Sequence, residues 1–168
     1  MYTPINPNNI FEPPYLLGEA GKTYQLHIEY EGKKLQATTT IPTIVPLDSV
    51  YVQAHQNIDT LYRLFAVLDE PPELGNFYRY FTQQNSNPMY PGLSSVFDDL
   101  FTNGRQFFFP MDRAQPRSEE FILDTYGYFT TGDTIRLKFC AIDKPHYEFW
   151  RTLEYSCLLY TSPSPRDS

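Results

Sequence analysis

Five side chains between positions 69 and 80 carry the strongest chemical suggestion in this sequence. They are the carboxylates Asp69, Glu70 and Glu73 in the run Asp69-Glu-Pro-Pro-Glu-Leu-Gly75, and the phenols Tyr78 and Tyr80 in Asn76-Phe-Tyr-Arg-Tyr-Phe-Thr82. Two carboxyl groups about 5 to 9.5 Å apart can flank and hydrolyse a glycosidic bond. Exposed aromatic rings beside them would offer a platform for a sugar, a peptide or a partner protein. The plainer reading of the acids is a solvated loop, because proline and glycine surround them. The plainer reading of the tyrosines is core packing. On a strand Tyr78 and Tyr80 share one face while Phe77, Arg79 and Phe81 share the other, and aromatic rings fill sandwich interiors. Phe107-Phe-Phe109 raises the same question, since consecutive strand residues cannot all point inward.

Other groups assemble no reaction centre. His27, His55 and His146 are far apart in sequence, and none sits in a ligand pair of the HExxH kind. No GxSxG elbow surrounds Ser94 or Ser95, and no cysteine–histidine motif accompanies Cys140. Asp98-Asp99 with Asn103-Gly104 is rich in oxygen, yet it lacks the acidic spacing and closing glutamate of a calcium loop and reads as a hairpin turn. The residues therefore point to no catalytic group, no metal ligand and no cofactor site.

The chain is acidic, with a net charge of -7. That balance disfavours nucleic acid, whose binding draws affinity from clustered Lys and Arg releasing counterions, whereas the basic residues here are scattered. A chain of this length buries roughly two-thirds of its unfolded surface, so it folds without disulfide or metal staples. No apolar run reaches the ~20 residues that span a bilayer. Met1 to Gly21 lacks the basic start and apolar core of a secretion signal, which leaves a cytoplasmic protein or a missing N-terminus.

The C-terminal run Cys157-Leu-Leu-Tyr-Thr-Ser-Pro-Ser-Pro-Arg-Asp-Ser168 is similar to the one-frame translation of a Nextera-type transposase adapter. Residues 157–168 are accordingly read as a non-biological tail. Removing Arg166 and Asp167 together leaves the charge balance unchanged, and Cys140 becomes the sole cysteine, which reads as a small buried apolar residue.

Aromatics at 17% and fifteen prolines favour short strands and turns. Tyr24, Leu26, Ile28 and Tyr30 alternate with polar residues, the pattern of a half-buried strand; Glu31-Gly32 supplies a tight turn, and Lys33 to Ile41 returns as its partner. Leu47 to Gln53 and Leu61 to Leu68 read as strands, the second apolar on both faces and hence central. The aromatic run Asn76 to Thr82 is another. Gln83 to Ser95 reads as a polar loop. Val96 to Phe101 and Arg105 to Phe109 read as a hairpin around Asn103-Gly104, and Phe121 to Tyr128 with Thr134 to Ile142 as a second around Thr131-Gly132-Asp133. In Asp143 to Glu154, Asp143 can cap a helix, Pro145 suits a first turn, and His146, Phe149, Trp150 and Leu153 recur at helical spacing.

The ordered succession GKTYQLHIEYEGKKLQATTTIP, VPLDSV, DEPPELGNFYRYF, DDLFTNGRQFFFP, TGDTIRLKFCAID and YEFWRTLE resembles domain-of-unknown-function family 4249 from about Glu19 to Glu154. The resemblance implies a secreted lipoprotein of the Bacteroidota outer membrane, often encoded near TonB-dependent receptors, with no established catalytic residues to carry over. It also implies an immunoglobulin-like stretch before the GKTY hairpin and truncation at both ends. The expected fold is mainly β: residues 1–42 as the remnant of an immunoglobulin-like unit, then an antiparallel β-sandwich-like domain over 43–156 with one short C-terminal helix. The expected function is non-enzymatic, an accessory subunit binding a nutrient or a TonB-dependent receptor. The loops Asp69 to Gly75 and Gln83 to Ser95 would make the contacts, and membrane attachment would come only from a lipid anchor absent from these residues. The alternatives are a carbohydrate-binding or carbohydrate-active module, using Tyr78, Tyr80 and the acidic loop, and a purely structural envelope protein.

Overall fold

The computed structural model describes residues 18–116, 119–120 and 122–160, the side chains of 157–160 excepted. The first seventeen residues, Phe121 of the second expected hairpin and the tail from Thr161 lie outside the described residues. The chain divides into two compact units, Met1–Ile44 and Val45–Ser168.

In the first unit, β1 (Thr23–Tyr30) pairs antiparallel with β2 (Lys33–Thr40). Glu31 and Gly32 join them with positive φ of 48° and 75°, the two-residue geometry whose twist matches that of the flanking strands. The register places Leu26 opposite Ala37 and Ile28 opposite Leu35. The half-buried face expected from the alternation is instead exposed, with Leu26 at 46% and Leu35 at 63%. Two strands cannot cover their own apolar face.

The second unit is an antiparallel sandwich. Its first sheet runs β3 (Ser49–Ala54), β4 (Leu61–Asp69), β7 (Gln106–Met111), with β8 (Tyr128–Thr130) also paired to β4. Its second runs β6 (Tyr90–Asp98), β5 (Phe77–Gln84), β9 (Ile135–Ile142). The central place expected for β4 is confirmed by its three neighbours. Leu64 and Ala66 of β4 face inward with Met111 and Phe129, and meet Tyr80 from β5; Phe97, Phe109, Leu137 and Phe139 pack around them. Tyr78 stacks on Phe139 with ring centroids 5.2 Å apart and tilts against Phe97 at 5.4 Å. Burying an apolar side chain of this size contributes about 1.5–3 kcal/mol. Polar strand atoms inside are satisfied: Thr82 Oγ1 donates to the Asp112 carbonyl and accepts from the Ala114 N–H.

Neither expected hairpin forms. The strands flanking Asn103-Gly104 part company, β6 pairing with β5 and β7 with β4. Those flanking Thr131-Gly132-Asp133 do the same, β8 going to β4 and β9 to β5. Each connection crosses from one sheet to the other, because the inward faces on its two sides belong to opposite walls of one core. The expected loop Gln83 to Ser95 is also shorter: the excursion closes by Tyr90, where β6 begins.

Helix α1 (Lys144–Tyr160) lies on the outer face of the second sheet, against β5 and β6. Asp143 caps it as expected, accepting from the His146 N–H at 3.0 Å. The helix runs four residues past Ser156, to Tyr160. Among the described residues no helix is long and apolar enough to cross a membrane.

Candidate functional site

The residues singled out by sequence do not converge on a surface. Tyr78 is fully buried and Tyr80 is 3% exposed, so the structure replaces the proposed aromatic platform with core packing. Burial and the neighbouring acids hold both phenols protonated, with pKa values well above ordinary. Of the three acids, Asp69 and Glu73 are exposed, while Glu70 is buried. Tyr78 donates its phenol proton to Glu70 Oε1 at 2.8 Å. Loss of water around Glu70 raises its carboxyl above the ordinary 4.5, against the opposing hydrogen bonds of Tyr78 and Asn76; the Asp99 charge adds to the rise.

The acidic loop is knit to the segment after β6. Asp99 accepts from the N–H groups of Gly75 and Asn76 at 2.9 Å, Gly104 N donates to the Pro71 carbonyl, and the Asn103 amide donates to that of Pro72. Asp98 points elsewhere and accepts from the Tyr147 hydroxyl of α1 at 2.7 Å. The oxygen-rich run thus splits between two structural tasks. Among the described residues no group of three or more His, Cys, Asp or Glu side chains is arranged to hold a metal ion.

A second charged cluster is sealed beneath α1. Arg79, on the outward face of β5, donates through Nε to Ser95 Oγ at 3.2 Å. The Ser95 hydroxyl donates a hydrogen bond to Glu154 Oε1, and the other carboxyl oxygen accepts the Ser95 N–H at 2.9 Å. The Arg79 guanidinium lies 3.6 Å from the Trp150 ring centre and 3.7 Å from Glu154 Oε1. Desolvation lowers the Arg79 pKa, partly offset by Glu154, and the group stays protonated. Glu154 and Arg79 are 6% and 7% exposed, so this cluster fixes the helix to the sheet and meets no solute.

The open face is the outer side of the first sheet. Strand alternation turns Arg63, Phe65 and Val67 outward from β4, opposite Gln53, Tyr51 and Ser49 of β3. Tyr51 stacks on Phe65 at 5.4 Å, with planes only 11° apart. Phe108, 68% exposed, meets the edge of Phe65 at 6.4 Å. That outward Phe108 between inward-leaning Phe107 and Phe109 is the outcome expected of three consecutive phenylalanines. Beside this aromatic strip opens a cleft of about 400 Å³ running from the end of β3 to Tyr128.

Arg63 forms the charged floor. Its Nε and Nη2 both donate to Asp112 Oδ1, at 3.0 and 2.7 Å, and its guanidinium sits 5.4 Å from the Tyr128 ring centre. Burial works against that charge, but Asp112 outweighs it and keeps the Arg63 pKa above ordinary. Gly127 is required where the chain crosses this pair: its φ is +81°, and a Cβ there would meet Asp112 Oδ1 and, at 3.2 Å, Arg63 Nη2. His55 packs edge-on against Tyr128 at 4.7 Å and accepts the Asn57 N–H on Nδ1 at 3.1 Å. The arrangement offers hydrogen-bonding groups next to flat apolar rings, the combination found in small-molecule recognition sites.

Sequence reasoning assigned none of these residues to a site. The available signal was the outward half of each strand pattern, where Tyr51, Phe65 and Phe108 occupy positions that a solvated face would fill with polar residues. No curated protein and no solved structure matches the chain. Residues 5–163 match the family described as domain of unknown function (DUF4249), and the chain belongs to that family.

Proposed function

We propose that this chain is a non-enzymatic binding module of the cell envelope, an accessory subunit that works with a TonB-dependent outer-membrane receptor in nutrient uptake. In this reading it is a lipoprotein of Bacteroidota, attached by a lipid anchor rather than by a spanning helix. The contact surface is the outer face of the β3-β4-β7-β8 sheet, not the acidic loop. The observation that carries the reading is the outward strip of exposed Tyr51 and Phe108 around half-buried Phe65, beside a cleft, on a sheet whose other face is the core. Exposed contiguous apolar surface rimmed by polar groups marks interaction sites. The charged groups with altered proton affinity support the same reading, because Glu70 and Arg79 are buried in hydrogen-bonded networks that support loops and a helix. We further read the β1-β2 hairpin as part of an immunoglobulin-like unit.

The test is co-purification of the protein from outer membranes in its native host. Wild type should recover a TonB-dependent receptor, and Tyr51→Ala/Phe108→Ala should lose it while staying folded. Recovery of neither receptor nor bound nutrient by wild type would remove the proposal.

A further inference from the structure

We infer that the cleft beside Arg63 binds a neutral saccharide, with the aromatic strip as its stacking wall. The inference rests on the binding-module reading and names the ligand class for that surface. The cleft combines two kinds of surface that a sugar presents in one molecule. Its lining includes Gln53, Gln56 and Asn57, each of which bears a carboxamide. Each carboxamide both donates and accepts, as a ring of hydroxyl groups requires. Its wall is Phe65, extended by Tyr51 stacked in register and by Phe108 at its edge. Tyr51 and Phe108 are exposed and Phe65 is half-buried, and the apolar face of a pyranose would lie on them.

The His55 and Tyr128 side of the cleft is held in place before any ligand arrives. The bond from Asn57 N–H to His55 Nδ1 directs the imidazole proton to Nε2, and Tyr128 supports the ring from its edge. Tyr128 in turn is backed by Arg63, and its carbonyl accepts from Arg113 Nε at 3.0 Å. Groups fixed in this way lose little freedom on binding. The volume, about 400 Å³, falls within the range of roughly 300–1,000 Å³ typical of small-molecule sites.

Charge selects against anionic ligands. The guanidinium of Arg63 is already neutralised by Asp112 at 2.7 Å, and the chain as a whole carries -7. A phosphorylated or sulfated glycan would meet no free cation in Arg63 and a repulsive field from the chain.

Native affinity electrophoresis of the chain tests this, in gels cast with soluble starch, dextran, mixed-linkage β-glucan, arabinoxylan or galactomannan, with dextran sulfate as the anionic probe. At least one neutral polysaccharide should retard the wild type. Gln53→Ala/Asn57→Ala and Tyr51→Ala should each weaken that retardation by about tenfold or more, with unchanged melting. Phe149→Ala, on the exposed helix face, should behave as wild type. Retardation by none of the neutral polymers, retardation by dextran sulfate alone, or retardation indifferent to the cleft variants would overturn the inference. If no polysaccharide binds but a membrane receptor is still recovered in a Tyr51-dependent manner, the ligand class fails and the binding-module reading stands. If a polysaccharide binds through the cleft but no receptor is recovered, the accessory role fails alone.

Discussion

On the outer face of each sheet an arginine meets an aromatic ring and a carboxylate, and the two trios have opposite fates. On the β6-β5-β9 sheet, Arg79 is covered by α1, which itself supplies Trp150 and Glu154, and the ion pair is 9% and 6% exposed. On the β3-β4-β7-β8 sheet, Arg63, Tyr128 and Asp112 lie open, at 32% and 16% for the ion pair. The same residue types therefore serve two purposes, and the covering element decides which. Under a helix they become a buried tether, where the separated partner carries a large desolvation cost. Without one they become the floor of a cleft, where the pair shapes a surface and steers its charge.

That contrast can be broken most forcefully at Glu154. Glu154→Ala leaves Arg79 buried without its carboxylate and Ser95 without two hydrogen bonds, and should cost about 3–5 kcal/mol in urea denaturation. Arg79→Met/Glu154→Leu should recover most of the loss, because no orphaned charge remains. A single-variant loss below about 1 kcal/mol would place α1 outside the cooperative unit. On the open side, Asp112→Ala should cost less, about 1–3 kcal/mol by the same assay, since water reaches the freed Arg63. A loss equal to that of Glu154→Ala would erase the distinction between the faces.

Glu70 sharpens the account of the loop that sequence had offered as a contact. Desolvation raises its folded carboxyl pKa above the ordinary 4.5. Its contribution to stability is therefore complete below about 4.5 and is lost as pH rises through the raised folded value. Glu70→Gln removes that dependence. Between about pH 4 and pH 8, wild type should lose stability relative to the Gln variant as pH rises, read from paired denaturation midpoints. A difference that stays constant, or that grows in favour of wild type, would contradict a buried and raised Glu70. The smallest effect on folding belongs to the open strip: Tyr51→Ala and Phe108→Ser should each stay within about 0.5 kcal/mol of wild type, because Tyr51 is 43% and Phe108 68% exposed and neither belongs to the core.

What the sequence revealed divides along local and long-range lines. The β1-β2 hairpin was legible because Glu31-Gly32 and the flanking alternation specify it without help. The α1 cap at Asp143 was legible for the same reason. Asn103-Gly104 misled, because a turn dipeptide specifies a reversal and not the partner. Gly104 N bonds to Pro71 and the Asn103 side chain to Pro72, thirty-odd residues away, which sends β7 to the other sheet. The start of β6 was hidden by Pro91 and Gly92, which sit where its pairing with β5 shifts register between Arg79 and Phe81. For Tyr78 and Tyr80 the strand period separated the two faces correctly, but which face became core depended on the opposite wall, built from β4, β7 and β8. The cleft was illegible because its lining comes from three separated segments, brought together by the pairing of β4 with β3 and β8.

The central claim is that the open sheet face, not the buried aromatic strand, is the surface this protein uses. Outer-membrane co-purification of wild type and Tyr51→Ala/Phe108→Ala, with melting curves recorded on the same samples, tests it most directly. The account predicts equal melting, with receptor or bound nutrient recovered by wild type alone. Equal recovery by the folded double variant would contradict it.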